Sequence, residues 1–186
     1  MSDKYLVLVA GLMGTGKTTL AQALSQRTGW RVISSDAVRK EIMKIPLHEH
    51  RFEKFDQGIY SSGHSRKVYE EMLRRARQAL LGGYSVILDA SFRGREDRLN
   101  ARDLASSLGA RFFLLKCVLP QDMVRERLTK RMKDGENISD GRWEIFDEQQ
   151  ENFDPIEEEH ITVSGAEEAP KMVEEILPLL SGWSTT

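Results

Sequence analysis

Cysteine is almost absent from this chain: Cys117 stands alone among 186 residues. An internal disulfide is therefore excluded, and a reducing compartment is the expected setting. Cys117 falls in a predicted strand, where a buried structural thiol is expected rather than a nucleophile. Long hydrophobic runs are absent too, and none approaches the roughly 20 residues of a membrane span. The first residues carry no basic stretch leading into an apolar one, so no signal peptide is expected and the expected location is cytoplasmic. Internal repeats, low-complexity tracts and interdomain linkers are missing, which predicts a single domain over residues 1–186. A strong net charge is also lacking, at −2. That value conceals a division. Residues 1–143 hold 26 Lys/Arg against 17 Asp/Glu, whereas residues 144–186 hold one Lys against 12 Asp/Glu. The basic part suits polyanionic ligands such as nucleotides, while the slightly acidic whole does not call for nucleic acid.

What is present begins with Gly11-Leu12-Met13-Gly14-Thr15-Gly16-Lys17-Thr18, which fits G-x-x-x-x-G-K-[ST] at every fixed position. The apolar run 5–10 before it reads as a buried strand, and Thr19-Leu20-Ala21 after it opens a helix. Glycines let the backbone turn its N–H groups inward onto a phosphate, and the helix N-terminus adds partial positive charge. Gly11, Met13, Gly14, Thr15, Gly16, Lys17, Thr18 and Thr19 are thus the expected nucleotide-binding residues. Lys17 is expected to reach the outer phosphates, and the Thr18 hydroxyl to ligate Mg²⁺.

Apolar runs at 5–10, 31–34, 84–89, 111–118 and 160–164 read as strands separated by helical patterns. Such βαβα alternation predicts an α/β protein with a parallel sheet. A second helix is expected from Val38 through Ile45, stopped by Pro46. Residues 46–63, including a turn at Ser61-Ser62-Gly63, read as a polar excursion over the site. Residues 64–81 give the clearest helical stripe, with Val68, Met72, Ala76, Ala79 and Leu80 on one face. Pro120 is expected to open a helix that continues into a polar arm, residues 125–152, standing off the body as a lid. In that arm, Ser139-Asp140 is expected to cap a helix over 140–152.

In an open parallel sheet, chemistry collects at the carboxyl ends of the strands. After the second strand, Asp36 and Arg39 share a helical face: an acid to accept or orient a hydroxyl proton, and a cation to hold an acidic or phosphate group. After the third strand, Asp89 can hold Mg²⁺ or its water. Arg93 and Arg95 follow, where an acceptor substrate would rest. Arg127 and Arg131 lie one turn apart on the arm, placed to supply positive charge to a moving phosphoryl group.

These segments together resemble a known group. Gly11–Thr18, Ser35-Asp36-x-x-Arg39, Val86-Ile87-Leu88-Asp89-Ala90-Ser91-Phe92, Arg127-Leu128-x-x-Arg131 and Ser139-Asp140 look like the P-loop kinases of the AAA-domain ATPase type. That wider group includes polynucleotide 5′-kinases, zeta toxins, gluconate kinase and chloramphenicol phosphotransferase. The resemblance implies a three-layer α/β/α P-loop NTPase fold, a five-stranded sheet in the order 2-3-1-4-5, a helical lid, and use of ATP and Mg²⁺. It implies Asp36 as the base or orienter, Arg39 as an acceptor-side clamp, and Arg127 and Arg131 as lid contacts to the nucleotide; Lys17, Asp36 and Arg131 are the expected catalytic residues. The expected acceptor is a hydroxyl-bearing small molecule or the 5′-hydroxyl end of a polynucleotide. A nucleotide-binding ATPase or regulatory module without an acceptor, and a zeta-toxin-like kinase, are the alternatives. A GTPase switch is disfavoured because no Asn/Thr-Lys-x-Asp signature is present.

Overall fold

The computed structural model describes residues 3–46, 62–134 and 146–182. Five strands, β1 (Tyr5–Ala10), β2 (Arg31–Ser34), β3 (Val86–Asp89), β4 (Arg111–Val118) and β5 (Ile161–Ser164), alternate with helices. The helices are α1 (Lys17–Thr28), α2 (Ser35–Ile42), α3 (Ser62–Leu81), α4 (Arg95–Ser107), α5 (Gln121–Asp134), α6 (Phe146–Glu151) and α7 (Ala169–Gly182). All strand pairings are parallel, and the sheet order is β2-β3-β1-β4-β5. Both the parallel sheet and its order match expectation.

Side-chain alternation on the central strands explains the layers. Leu6, Leu8 and Ala10 of β1, with Val86 and Leu88 of β3 and Leu114 of β4, join one core containing Val38, Val68, Met72 and Ala76. The intervening Val7, Val9, Ile87, Phe113 and Leu115 join the opposite core, with Leu20 and Leu24 of α1 and Met172, Val173 and Ile176 of α7. A central parallel strand buried on both faces must be apolar at every position, which is why β1 reads as an unbroken hydrophobic run. Cys117 lies in the second core, and burial pushes its thiol up to about 12, so it is the structural thiol the sequence suggested.

The register delivers chemistry to one end of the sheet. Val9 of β1 and Ser34 of β2 both pair with Asp89 of β3, so the phosphate loop, α2 and the post-β3 loop emerge side by side.

Several boundaries differ from the sequence reading. The third strand starts at Val86 rather than Tyr84, whose ring lies 3.4 Å under the Arg31 guanidinium in the preceding turn. The second helix ends at Ile42, short of Ile45. Lys44 adopts φ 55, and the Ile45 N–H donates to the Lys40 carbonyl. Proline disfavours helical backbone at the residue before it, here Ile45, so the helix does not continue to Pro46. Ser62 and Gly63 begin α3 rather than forming a turn, and the rest of the expected excursion, 47–61, lies outside the described residues. The expected cap at Ser139-Asp140 also lies outside them, and the described part of the arm's second helix is Phe146–Glu151. Among the described residues, no helix is long and apolar enough to cross a membrane.

Candidate active site

The phosphate loop is shaped by three glycines with left-handed backbones: Gly11 (φ 143), Gly14 (φ 76) and Gly16 (φ 96). Two of them have no room for a side chain. A Cβ on Gly11 would lie 2.5 Å from the Cys117 carbonyl oxygen, and one on Gly14 would lie 2.9 Å from Val124 Cγ1. Thr15 is buried and its hydroxyl donates to the Leu12 carbonyl at 2.7 Å. The Lys17 ammonium donates to the same carbonyl, also at 2.7 Å. The helix beyond, α1, starts from Gly16 with no side-chain cap. Its first N–H groups therefore need an acceptor from elsewhere. A glycine cradle leading into an uncapped helix N-terminus fits an anionic phosphate.

Thr18 Oγ1 donates to Asp89 Oδ2 at 2.8 Å. Asp89 is 3% exposed, and burial pushes its carboxyl up to about 6. Nearby Lys17 and the Thr18 hydrogen bond oppose that rise, while Asp36 adds to it by like-charge repulsion. A desolvated carboxylate beside a hydroxyl is a hard-oxygen pair that a divalent cation relieves. Among the described residues, no group of three or more His, Cys, Asp and Glu forms a metal cage. A carboxylate and a hydroxyl side by side fit Mg²⁺, which takes few protein oxygens and completes its shell with water and phosphate.

The other side of the site is built by α2, α3 and the loop after β3. Asp36 lies within α2, whose N-cap is Ser34, so Asp36 is not the helix cap. Its effect on Asp89 puts the two carboxylates within electrostatic reach. Arg39 is buried at 6% exposure and donates to the Ser65 hydroxyl of α3 at 3.5 Å. Beside them, Tyr69 Oη stands 3.3 Å from Ser91 Oγ and accepts the Phe92 N–H. Phe92 is buried with φ 46, a left-handed backbone uncommon for a bulky residue.

That turn is fastened by Arg98, which is 1% exposed. Its guanidinium donates to the carbonyls of Phe92, Arg93 and Pro155 and pairs with Glu158 at 3.1 Å. The Arg93 carbonyl also accepts the Asp154 N–H, and Asp154 Oδ2 accepts the Arg95 N–H. Arg93 is therefore half-buried in a pinned loop, and Arg95 opens α4 as an exposed residue.

Arg127 of α5 donates to the Gly165 carbonyl at 2.6 Å. Gly165 follows β5 and is pressed so closely on the Thr15 carbonyl that a Cβ would overlap it. Arg127 Nη1 and the Gly165 Cα both lie within 4 Å of where a Gly16 side chain would begin. Arg131 lies further along α5, with its side chain outside the described set. Thr19 sits exposed in the first turn of α1. From α6, Gln149 Oε1 accepts the Met13 N–H at 2.7 Å.

Lys17, Thr18, Asp89 and Asp36 thus converge, Arg127 joins at the helix-start side, and Arg39 lies on the α2–α3 side. Gly165, Gln149, Tyr69 and Arg98 were not expected from sequence. Only Gly165 carried a usable signal, a glycine just past the carboxyl end of a strand.

A phosphate cradle after β1 of a 2-3-1-4-5 parallel sheet, with an acid ending the adjacent strand, defines the P-loop kinase fold. A family model described as an AAA domain matches residues 6–156, and the chain belongs to that family. An uncharacterized protein of Mycobacterium tuberculosis is 36% identical over 126 residues, 68% of this chain, as is one of Mycobacterium bovis. The match spans only 25% of those relatives' length. Among solved structures, a Mycobacterium tuberculosis APS kinase in complex with AMPPNP and APS superposes with TM-score 0.68 at 20% identity, covering 96% of this chain and 98% of that one. A Sinorhizobium meliloti gluconokinase superposes with TM-score 0.64 at 20% identity, covering 97% and 92%. These likenesses establish the fold.

Proposed function

We propose that this chain is an ATP-dependent kinase that transfers the γ-phosphoryl group to a hydroxyl. The acceptor is a small molecule or the 5′-hydroxyl end of a polynucleotide. Residues 1–186 act as one kinase domain, with 125–152 as its lid and 46–63 on the acceptor side. The observation that carries the reading is the convergence of Lys17, Thr18 and Asp89 at the mouth of an uncapped α1, with Asp36 close enough to perturb Asp89.

In this reading the amides of residues 14–19 hold the phosphate chain, and Lys17 exchanges the Leu12 carbonyl for the outer phosphates. Thr18 and Asp89 would hold Mg²⁺, which when bound would supply charge neutralisation to the phosphates. Asp36 orients the acceptor hydroxyl and takes its proton as the acceptor oxygen bonds to the γ-phosphorus. The bond to the β–γ bridging oxygen breaks and ADP departs. Arg39, Arg93 and Arg95 bind the acceptor. Arg127 and Arg131 bring positive charge to the nucleotide, a contribution worth about 10³–10⁵ in rate where an arginine meets the moving group.

The test is a panel of alcohols, sugar acids, nucleosides and 5′-hydroxyl oligonucleotides incubated with γ-labelled ATP. Label in one acceptor class, lost in Asp36→Asn, supports the proposal. Slow release of inorganic phosphate that no acceptor accelerates would favour the acceptor-free ATPase instead.

A further inference from the structure

Each residue of the turn after Asp89 is bonded through its backbone. The Ala90 N–H donates to the Val9 carbonyl of β1, and the Ser91 carbonyl accepts the Gly11 N–H at 3.2 Å. The Phe92 N–H donates to Tyr69 Oη at 3.1 Å. The carbonyls of Phe92 and Arg93 both accept from Arg98 Nη1, at 3.0 and 3.2 Å. Within these bonds Phe92 holds φ 46, a backbone that a bulky residue keeps only where its surroundings over-determine it. Its ring is buried, with its centroid 5.1 Å from that of Tyr69. The turn thus hooks the first glycine of the phosphate loop just past the acid that receives Thr18.

Arg98 leaves this turn no slack. All five N–H donors of its guanidinium are engaged. Besides the two turn carbonyls, they reach the Pro155 carbonyl and both carboxylate oxygens of Glu158. The Glu158 side chain, 10% exposed, supplies the countercharge that so deeply buried a guanidinium requires. The turn is therefore held by α3, by α4, by the phosphate loop and, through Arg98, by the segment leading from α6 to β5. A lysine ammonium, a point charge with three donors, cannot span acceptors on two segments in this way.

We infer that Arg98 is a positioning residue for Asp89, acting through the strained Ser91–Arg93 turn. This rests on the reading above in which Asp89 and Thr18 would hold Mg²⁺. The register of β3 with both neighbouring strands ends at Asp89, so the turn decides where the chain goes beyond it. Without Arg98, Phe92 relaxes from its left-handed backbone and Ser91 releases Gly11. The Asp89 carboxylate and the Thr18 hydroxyl then lose the alignment that sets them 2.8 Å apart. Support of a metal-binding carboxylate from outside its own contacts is commonly worth about 10–100-fold in metal affinity. Arg98 itself meets neither metal nor nucleotide.

The experiment measures Kd of a non-hydrolysable ATP analogue for the full chain, in excess Mg²⁺ and in EDTA, with the parent, Arg98→Lys and Glu158→Gln. The ratio of the two Kd values reads the metal's contribution, and chelation by free nucleotide is common to all three proteins. The ratio should shrink roughly tenfold in Arg98→Lys, and less far in Glu158→Gln, which keeps the shape but loses the countercharge. In an Asp89→Asn background, Arg98→Lys should leave the ratio unchanged. Hydrogen exchange without metal is the second readout. The Gly11 and Phe92 amides should exchange several-fold faster in the variants relative to the amides of β1, whereas a merely structural loss speeds all of them alike. A parent-like ratio in whichever variant melts cooperatively, or exchange raised uniformly, would overturn the positioning role while leaving the kinase reading intact. A parent that binds the analogue equally with and without Mg²⁺ would overturn the metal role of Asp89 and, with it, that of Arg98. A parent that binds no nucleotide would overturn the kinase reading as well.

Discussion

Replacing Asp89 by Asn should stabilise the metal-free protein while removing its response to Mg²⁺. Burial raises this carboxyl from 3.8 to about 6. At about 1.4 kcal/mol per unit, the ionised side chain costs the fold about 3 kcal/mol once the pH is above both values. The sign follows from proton counting. Between about pH 4 and pH 6 the folded state holds a proton here that the unfolded state has released, so raising the pH through this window lowers stability. Asn cannot ionise, and its carbonyl can still accept the Thr18 hydroxyl. Its advantage over the parent should be near zero at pH 4, grow to pH 6 and stay level above it. For a chain of this size about 3 kcal/mol corresponds to roughly 6–12 °C in Tm. Paired thermal melts in EDTA at pH 4, 5, 6 and 8 read the difference directly, because contributions common to both proteins cancel. Adding Mg²⁺ with nucleotide should then stabilise the parent more than the Asp89→Asn variant. A variant no more stable than the parent at pH 8 without metal would refute the argument that burial strains this carboxylate.

Further outcomes follow from the same geometry. Lys17→Ala should abolish nucleotide-dependent thermal stabilisation, which for the parent at 100 times Kd is about 2.7 kcal/mol; a scan of Tm against Mg·ATP concentration checks it. Asp36→Asn should bind nucleotide like the parent but transfer phosphoryl about 10²–10⁴-fold more slowly, read by γ-label transfer once an acceptor is found. Transfer at the parent rate would remove Asp36 as base. Gly165→Ala should push the segment after β5 away from the Thr15 carbonyl, lowering Tm and weakening nucleotide binding together, because its Cβ meets backbone that cannot turn aside. Calorimetry beside a melt curve tests that pairing.

Much of this architecture is legible in the residues alone. β1 and β3 are apolar at successive positions because both faces are covered, and the stripe on α3 falls where Val68, Met72 and Ala76 are buried. The phosphate loop is legible because its glycines meet a local requirement, a backbone that turns its amides inward. Asp89 and Asp36 are legible because topology, not distant contact, places them at strand ends.

What escapes depends on contacts between remote segments. Gln149 meets Met13 across 136 positions of chain, and nothing local to Phe146–Glu151 signals a phosphate loop. Arg98 reads as one more arginine on a polar helix, yet it is buried because Phe92, Arg93 and Pro155 turn their carbonyls to it. The end of α2 is misleading in sequence because Ile45 continues the apolar spacing, while the restriction from Pro46 acts one residue earlier.

The two faces of the sheet carry different duties. The helix that begins at Lys17 rests on the α7 side, whereas Asp36, Arg39, Tyr69 and Arg98 belong to the opposite layer. On the proposed reading, the second layer is free to be redrawn for a new acceptor while the first keeps its phosphate loop. Swapping α2, α3 and the turn at Phe92 between relatives would be the corresponding route for exchanging acceptors by design.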